Sequence, residues 1–307
     1  MQVTITGGTG QVAEFVSKEL EGKYDLVLFD RVPPGQNRFQ YEVKYPVVVG
    51  ELLSVEDCEK AVKGSDAIIH LGAIPYPTEL PPMGPRVANR PALPYDETMK
   101  VNTMGTYYLM EAARRQGVKV VVTAVSNCVL GHFEPWRPSG TPFPIEYLPL
   151  DEAHPKHVED TYGLSKQFQE EIMHMYSRAH GIRTYGIRPA GINRVERQIE
   201  YARNYTSPAN WTSALNGYVD IRDVARAFRM CLDAGIAGHL PPFDDYYVNN
   251  PDTWSLEDSK DLVARLRPDL VPLARGLVGR QSLISAAKAE KAFGWMAEHS
   301  WTEHLPK

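Results

Sequence analysis

The chain has 307 residues, 43% of them apolar, enough for one large α/β unit or a nucleotide-binding body with a smaller lobe. Its 33 Lys and Arg stand against 38 Asp and Glu, and a net charge of −5 gives no electrostatic reason to expect nucleic acid or an anionic membrane as partner. Three cysteines, Cys58, Cys128 and Cys231, are dispersed without a CxxC pair, which argues against a metal site or a disulfide frame and suits a reducing cytoplasm. No secretory signal is expected before the first strand, and no apolar run is long enough to span a bilayer.

The opening stretch MQVTITGGTGQVA reads as strand, tight turn and helix, because Val3 and Ile5 precede Gly7, Gly8 and Gly10, and Gln11 to Val16 is helix-compatible. Such a turn presents backbone N–H groups at a helix N-terminus, where a pyrophosphate can sit, and the glycines let it approach without a Cβ in the way. A second strand, Tyr24 to Phe29, ends in Asp30, about twenty residues beyond the turn. A carboxylate there accepts both adenosine ribose hydroxyls and repels a 2′-phosphate, which favours NAD over NADP, although Arg31 stands beside it.

Strand and helix then alternate: strand Pro46 to Val49, helix Ser54 to Lys63, strand Asp66 to Leu71. This predicts a Rossmann-type α/β fold, a doubly wound parallel sheet with helices on both faces and ligand at the carboxyl ends of its strands. Glu51 and Leu71-Gly72-Ala73 fall just past two such ends. Glu51 reads as either a solvated loop charge or an adenine contact; the small pair Gly72-Ala73 admits a cofactor or simply turns. The proline-dense connection Pro75 to Pro94 reads as a surface loop, a lid or an ornament. A long helix follows, Tyr95 to Gln116, in which Asn102 is either a satisfied core amide or the holder of a water near an active site.

Val118 to Val125 is a central-strand run ending in Ser126-Asn127-Cys128, which places a hydroxyl where ligands bind. Facing it, Tyr162 and Lys166 are spaced i, i+4 on the helix that runs to His180 and share one face. His132 reads as an ordinary loop residue, Cys128 as inert packing, and Asp223 as a structural charge opening helix Val224 to Leu232. After strand Ile182 to Ile187, the stretch Gly191 to Gly217 is expected to cover the substrate, with one of Arg188, Arg194, Arg197 and Arg203 binding an anionic group and the others solvated. A late strand, Tyr246 to Asn249, and two C-terminal helices, Leu256 to Leu266 and Ser285 to Phe293, complete the reading.

In joint order, TGGTGQVA, HLGA at His70 to Ala73, VNTMGTYYLMEAAR at Val101 to Arg114, YGLSK at Tyr162 to Lys166, IRPAGI at Ile187 to Ile192 and YVDIRDVARAF at Tyr218 to Phe228 resemble the extended short-chain dehydrogenase/reductases, the NAD-dependent epimerase/dehydratase family. The resemblance implies an NAD-dependent oxidoreductase acting on a hydroxyl carbon of a sugar, sugar acid or related polyol. Tyr162 would be the base, Ser126 would hydrogen-bond the forming carbonyl, Lys166 would hold the nicotinamide ribose and favour the phenolate, and Asn102 would support a proton-relay water. It places cofactor contacts at Gly7, Gly10, Gln11, Val12, Asp30, Glu51, Leu52, Leu71, Gly72, Ala73, Asn102, Tyr162, Lys166 and Pro189, and substrate contacts at Ile74, Asn127, Cys128 and Gly191. It also implies a dinucleotide domain over 1–188 with 218–250 returning to it, a smaller lobe from 189–217 and 251–307, and a homodimer built on two long helices.

Dehydratases of the family carry an Asp-Glu pair directly after the catalytic hydroxyl, where this chain has Asn127 and Cys128, so dehydration is not expected. The SN-x-V-x-G form of Ser126 to Gly131 is more similar to uronate dehydrogenases, with Cys128 standing where they have His. A nucleotide-sugar epimerase and a catalytically silent NAD sensor remain as alternatives.

Overall fold

The computed structural model describes residues 1–37, 39, 41–81, 92–211 and 213–306. Nine strands occur among them: β1 (Gln2–Thr6), β2 (Asp25–Asp30), β3 (Val47–Val49), β4 (Ala67–His70), β5 (Val120–Ala124), β6 (Arg183–Pro189), β7 (Gly191–Asn193), β8 (Tyr218–Asp220) and β9 (Phe243–Val248). Seven form one sheet in the order β3-β2-β1-β4-β5-β6-β9, every neighbouring pair parallel, and β7 pairs with β8 in a small second sheet. The α/β fold class is thus as expected. The strand order turns back between β1 and β4, and it is outside the carboxyl ends of strands at such a reversal that an open α/β sheet binds ligands.

Period-two alternation decides which layer each strand residue feeds. Val3, Ile5, Val120 and Val122 pack with Ala13, Val16 and Leu20 of α1 (Gln11–Leu20) and with Phe228 and Cys231 of a long helix at Ile221–Ala237. Ile68 and Val121 point the other way, onto α2 (Val55–Val62) and onto helices containing Leu109, Met110, Met173 and Tyr176. Each such fully buried aliphatic side chain contributes about 1.5–3 kcal/mol, so both faces of the sheet are held by apolar burial. Ser54 caps α2 by accepting the Asp57 N–H, as its sequence position suggested.

The helix expected from Tyr95 starts two residues later and is not uniform. A short α3 (Glu97–Met99) leads into a π turn, Lys100–Met104, and then α4 (Gly105–Gln116). Asn102 and Gly105, poor helix formers, sit at this irregularity; a Cβ on Gly105 would lie 3.0 Å from the Leu52 Cβ. Next come α5 (Thr161–His180), capped by Asp160, then α6 (Val195–Arg203), α7 (Ile221–Ala237), α8 (Ser259–Leu266) and α9 (Ala287–Phe293). The two C-terminal helices are shorter than expected, since Asp258 caps α8 and Ala286 precedes α9. Of the proline-dense connection, residues 82–91 lie outside the described residues.

The arginine expectation needs correction at Arg188 and Arg194, which are not solvated. Arg188 is a buried strand residue paired with Glu170 at 2.6 Å and Asp245 at 3.3 Å, and Arg194 pairs with Glu14 at 3.1 Å. Arg197 and Arg203 lie exposed on α6, a helix where irregular chain was expected. Asp223 has the structural role foreseen for it, accepting the Glu298 N–H at 3.1 Å and the His299 N–H at 2.9 Å.

Candidate active site

The glycine turn is built for close approach. Gly7 has φ +62°, and a Cβ on it would lie 2.8 Å from the Gly72 nitrogen; a Cβ on Gly10 would lie 2.9 Å from the Gly7 oxygen. Gly10 is the N-cap of α1 and offers no side chain to the first-turn N–H groups, which stay free to meet an anion. Beside the turn is a cavity of about 200 Å³ lined by Gly7, Gly10, Asp30, Arg31, Glu51 and Leu52 on one side, and by Leu71, Gly72, Ala73 and Ile74 on the other. Asp30 Oδ2 accepts the Thr9 N–H at 2.9 Å and Oδ1 the Val32 N–H at 3.0 Å, which fixes the carboxylate at the cavity edge. These features fit an adenine dinucleotide: a turn with no Cβ in the way, unspent N–H donors, and a carboxylate placed for ribose hydroxyls. Gln11 and Val12 form the first turn of α1, Pro189 ends β6, and Gly191 begins β7.

The second half of the site lies past β5. Ser126 caps a 3-10 turn, Asn127–Leu130, accepting the Cys128 N–H at 3.1 Å, and its hydroxyl is near enough to Tyr162 to favour the phenolate. Lys166 Nζ lies 5.7 Å from the Tyr162 ring centroid, so phenol, ammonium and Ser126 hydroxyl converge as the spacing suggested. Burial, then the neighbouring Cys128 thiol, pushes the Tyr162 phenol well above its ordinary range; the nearby Ser126 hydroxyl works the other way. Burial also pushes the Lys166 ammonium down to about 7. Lys166 is expected to favour the phenolate, against this burial, and it donates to Ala124 O at 2.9 Å and Gln169 Oε1 at 2.7 Å.

Asn102 is a satisfied core amide. Its Oδ1 accepts the Ile74 N–H at 2.8 Å, and its Nδ2 donates to Ile74 O and Ser165 Oγ, each at 3.0 Å, leaving neither amide hydrogen for a relay water. Burial pushes the Cys128 thiol up to about 12, in keeping with inert packing. His132 is no ordinary loop residue: it is 1% exposed, its Nε2 lies 3.1 Å from Asn127 Nδ2, and burial pushes its imidazole down to about 4. The sequence reading also passed over Gln169 and Tyr41. Gln169 is three residues beyond Lys166 on the same helix and was detectable by that spacing. Tyr41, whose hydroxyl donates to Gly8 O at 3.0 Å across the glycine turn, lies in irregular chain and carries no such signal.

The profile of the NAD dependent epimerase/dehydratase family matches residues 3–241. The chain belongs to that family. Membership accords with the resemblance seen in the ordered motifs and with an NAD-dependent enzyme of short-chain dehydrogenase/reductase type. Among relatives of this epimerase/dehydratase family member, a uronate dehydrogenase of Pseudomonas syringae pv. tomato is 30% identical over 142 residues, covering 46% of this chain and 42% of that protein. An NAD-dependent glucose-6-phosphate dehydrogenase of Haloferax volcanii is 26% identical over 234 residues, 76% of this chain and 80% of that one. In three dimensions the family member is similar to a short-chain dehydrogenase/reductase superfamily protein of Agrobacterium tumefaciens solved with bound NAD, with TM-score 0.67 and 20% identity over 99% of this chain and 95% of the other.

Proposed function

We propose that this chain is an NAD-dependent dehydrogenase of a small free sugar, sugar acid or related polyol. The observation that carries the reading is the convergence of Ser126, Tyr162 and Lys166 on the same carboxyl side of the sheet as the glycine turn. NAD, when bound, supplies the hydride acceptor. Tyr162 takes the proton of the substrate hydroxyl, and Ser126 donates to the oxygen that becomes a carbonyl. Lys166, with one ammonium hydrogen beyond those given to Ala124 and Gln169, holds the nicotinamide ribose and offsets the burial that disfavours the phenolate. Asp30 supports NAD over NADP. Ile74, Asn127, Cys128 and Gly191 are the substrate contacts of this reading, and residues 189–217 and 251–307 its substrate lobe. The relatives' names support the sugar-like substrate class.

The deciding experiment incubates the protein with NAD and, separately, NADP across aldoses, uronates and nucleotide sugars, following cofactor reduction and product isomers. Net NADH formation with a free sugar or sugar acid is the expected result. Isomerised nucleotide sugar without net reduction makes the protein an epimerase, and NAD binding without turnover of anything in the panel makes it a sensor. A homodimer belongs to the same reading, supported by Met104 at the end of the π turn, Tyr107 on α4, and Phe168 and Met175 on α5, all exposed; light scattering at twice the 34.5 kDa chain mass is the expected result. No helix among the described residues is long and apolar enough to cross a membrane, and three free thiols support a cytoplasmic setting.

A further inference from the structure

Beneath the site runs a chain of buried polar groups that the proposed reaction does not use. Gln169, Thr106, His70 and Thr6 are each 2% exposed or less, and they connect Lys166 on α5 to the glycine turn after β1. Donor and acceptor roles are fixed by chemistry. An ammonium can only donate, so the amide end of Gln169 facing Lys166 Nζ is its oxygen, at 2.7 Å. Its nitrogen then faces Thr106 Oγ1 at 2.6 Å, and Thr106 spends its own hydrogen on Asn102 O at 2.6 Å.

Thr106 therefore accepts from His70 Nε2 as well, at 3.0 Å, which makes Nε2 the protonated ring nitrogen. His70 Nδ1 accepts from Thr6 Oγ1 at 2.6 Å, and Thr6 Oγ1 accepts the Gly72 N–H at 3.1 Å. Burial first, then Lys166, pushes the His70 imidazole down to about 3, so the ring is neutral, as this tautomer requires.

We infer that Gln169 is the positioning residue of Lys166: its amide, locked in orientation by Thr106 and neutral His70, aims the ammonium and sets how readily it gives up its proton. Turning the amide over would oppose donor to donor at Lys166 and leave Thr106 without its partner, so one orientation is held. Ala124 O takes a second ammonium hydrogen, and the third is left for the site. The titratable groups facing Lys166 are His70 from β4, Cys128 from the turn after β5, and Tyr162 and Glu170 from α5.

The inference rests on the proposed function for its catalytic meaning, so its test reads Lys166 directly in the protein without NAD. Trace acetylation by acetic anhydride across pH, followed by peptide mass spectrometry, gives the pH at which the Lys166 amine becomes reactive. Gln169→Glu puts an anion against the ammonium and is expected to move that midpoint up by about one pH unit, while Gln169→Leu removes an acceptor and moves it down. Both variants with the parent midpoint would make Gln169 a packing residue and overturn the inference. If the leucine variant does not fold, the glutamate arm decides alone. A shifted midpoint in a protein that turns over no substrate of the panel would leave Gln169 in this role and sink the proposed function instead.

Discussion

Asn102 and Ile74 close a two-point ring between the π turn and the wall of the dinucleotide cavity: the Ile74 N–H donates to Asn102 Oδ1 at 2.8 Å, and Asn102 Nδ2 donates back to Ile74 O at 3.0 Å. Asn102 is 0% exposed, so no water replaces these bonds when the amide is removed. Asn102→Leu, close in volume, strands both Ile74 backbone groups, takes one donor from the Ser165 hydroxyl, and is expected to destabilise the chain by about 3 kcal/mol. NAD affinity should fall in the same variant, because Ile74 lines the cavity. Urea unfolding and calorimetric titration with NAD check the two effects, and parental values in both would remove the role given to this ring.

In the proposed mechanism the phenol and the serine act on the same substrate oxygen, and they are expected to fail differently. Tyr162→Phe removes the proton acceptor of the proposed reaction and should lower turnover at least about a thousandfold with NAD binding nearly intact. Ser126→Ala keeps the acceptor and removes one hydrogen bond to the reacting oxygen, a loss of about a hundredfold. Turnover by Tyr162→Phe within a few-fold of the parent would end the proposed mechanism.

Gly7 tests the cofactor side alone. At φ +62° a side chain is strained, and its Cβ would meet the Gly72 backbone just past the end of β4, the strand beside β1. Gly7→Ala should lose about 1–3 kcal/mol of stability and most NAD affinity together. By contrast Asp30→Ala, which brings no new Cβ against the turn but releases the Thr9 N–H, should weaken NAD about tenfold and narrow the preference over NADP, because Arg31 lines the same cavity. An unaltered NAD to NADP ratio in Asp30→Ala would take cofactor choice away from that carboxylate.

Much of this architecture was legible because it follows from local rules. β1, the glycine turn and α1 are written in one stretch, and Tyr162 and Lys166 share a helix face by spacing alone. Other features depend on what packs against a residue from far along the chain. Arg188 looks like any loop-edge arginine until β9 brings Asp245 to it, while His132 looks solvated until its own loop folds Asn127, five residues earlier, against its ring. The π turn follows from weak helix formers, Asn102 and Gly105, yet their placement against Ile74 and Leu52 comes only with the tertiary structure.

Acid stability carries a signature of the two buried imidazoles. Burial pushes His70 down to about 3 and His132 down to about 4, against an ordinary 6.5 in the unfolded chain. Between those values the unfolded chain binds protons that the folded chain refuses, so stability falls as pH drops below about 6.5, by about 1.4 kcal/mol per pH unit for each histidine. His132→Gln keeps an acceptor for the Asn127 amide and carries no titrating ring. Its unfolding free energy from urea melts between pH 4.5 and 6 should therefore fall less steeply than the parent's, by about one proton's worth of slope. Other groups titrate in both proteins and cancel in the difference. Equal slopes would mean that His132 takes up its proton in the folded chain, and the buried, neutral ring beside Asn127 would have to be abandoned.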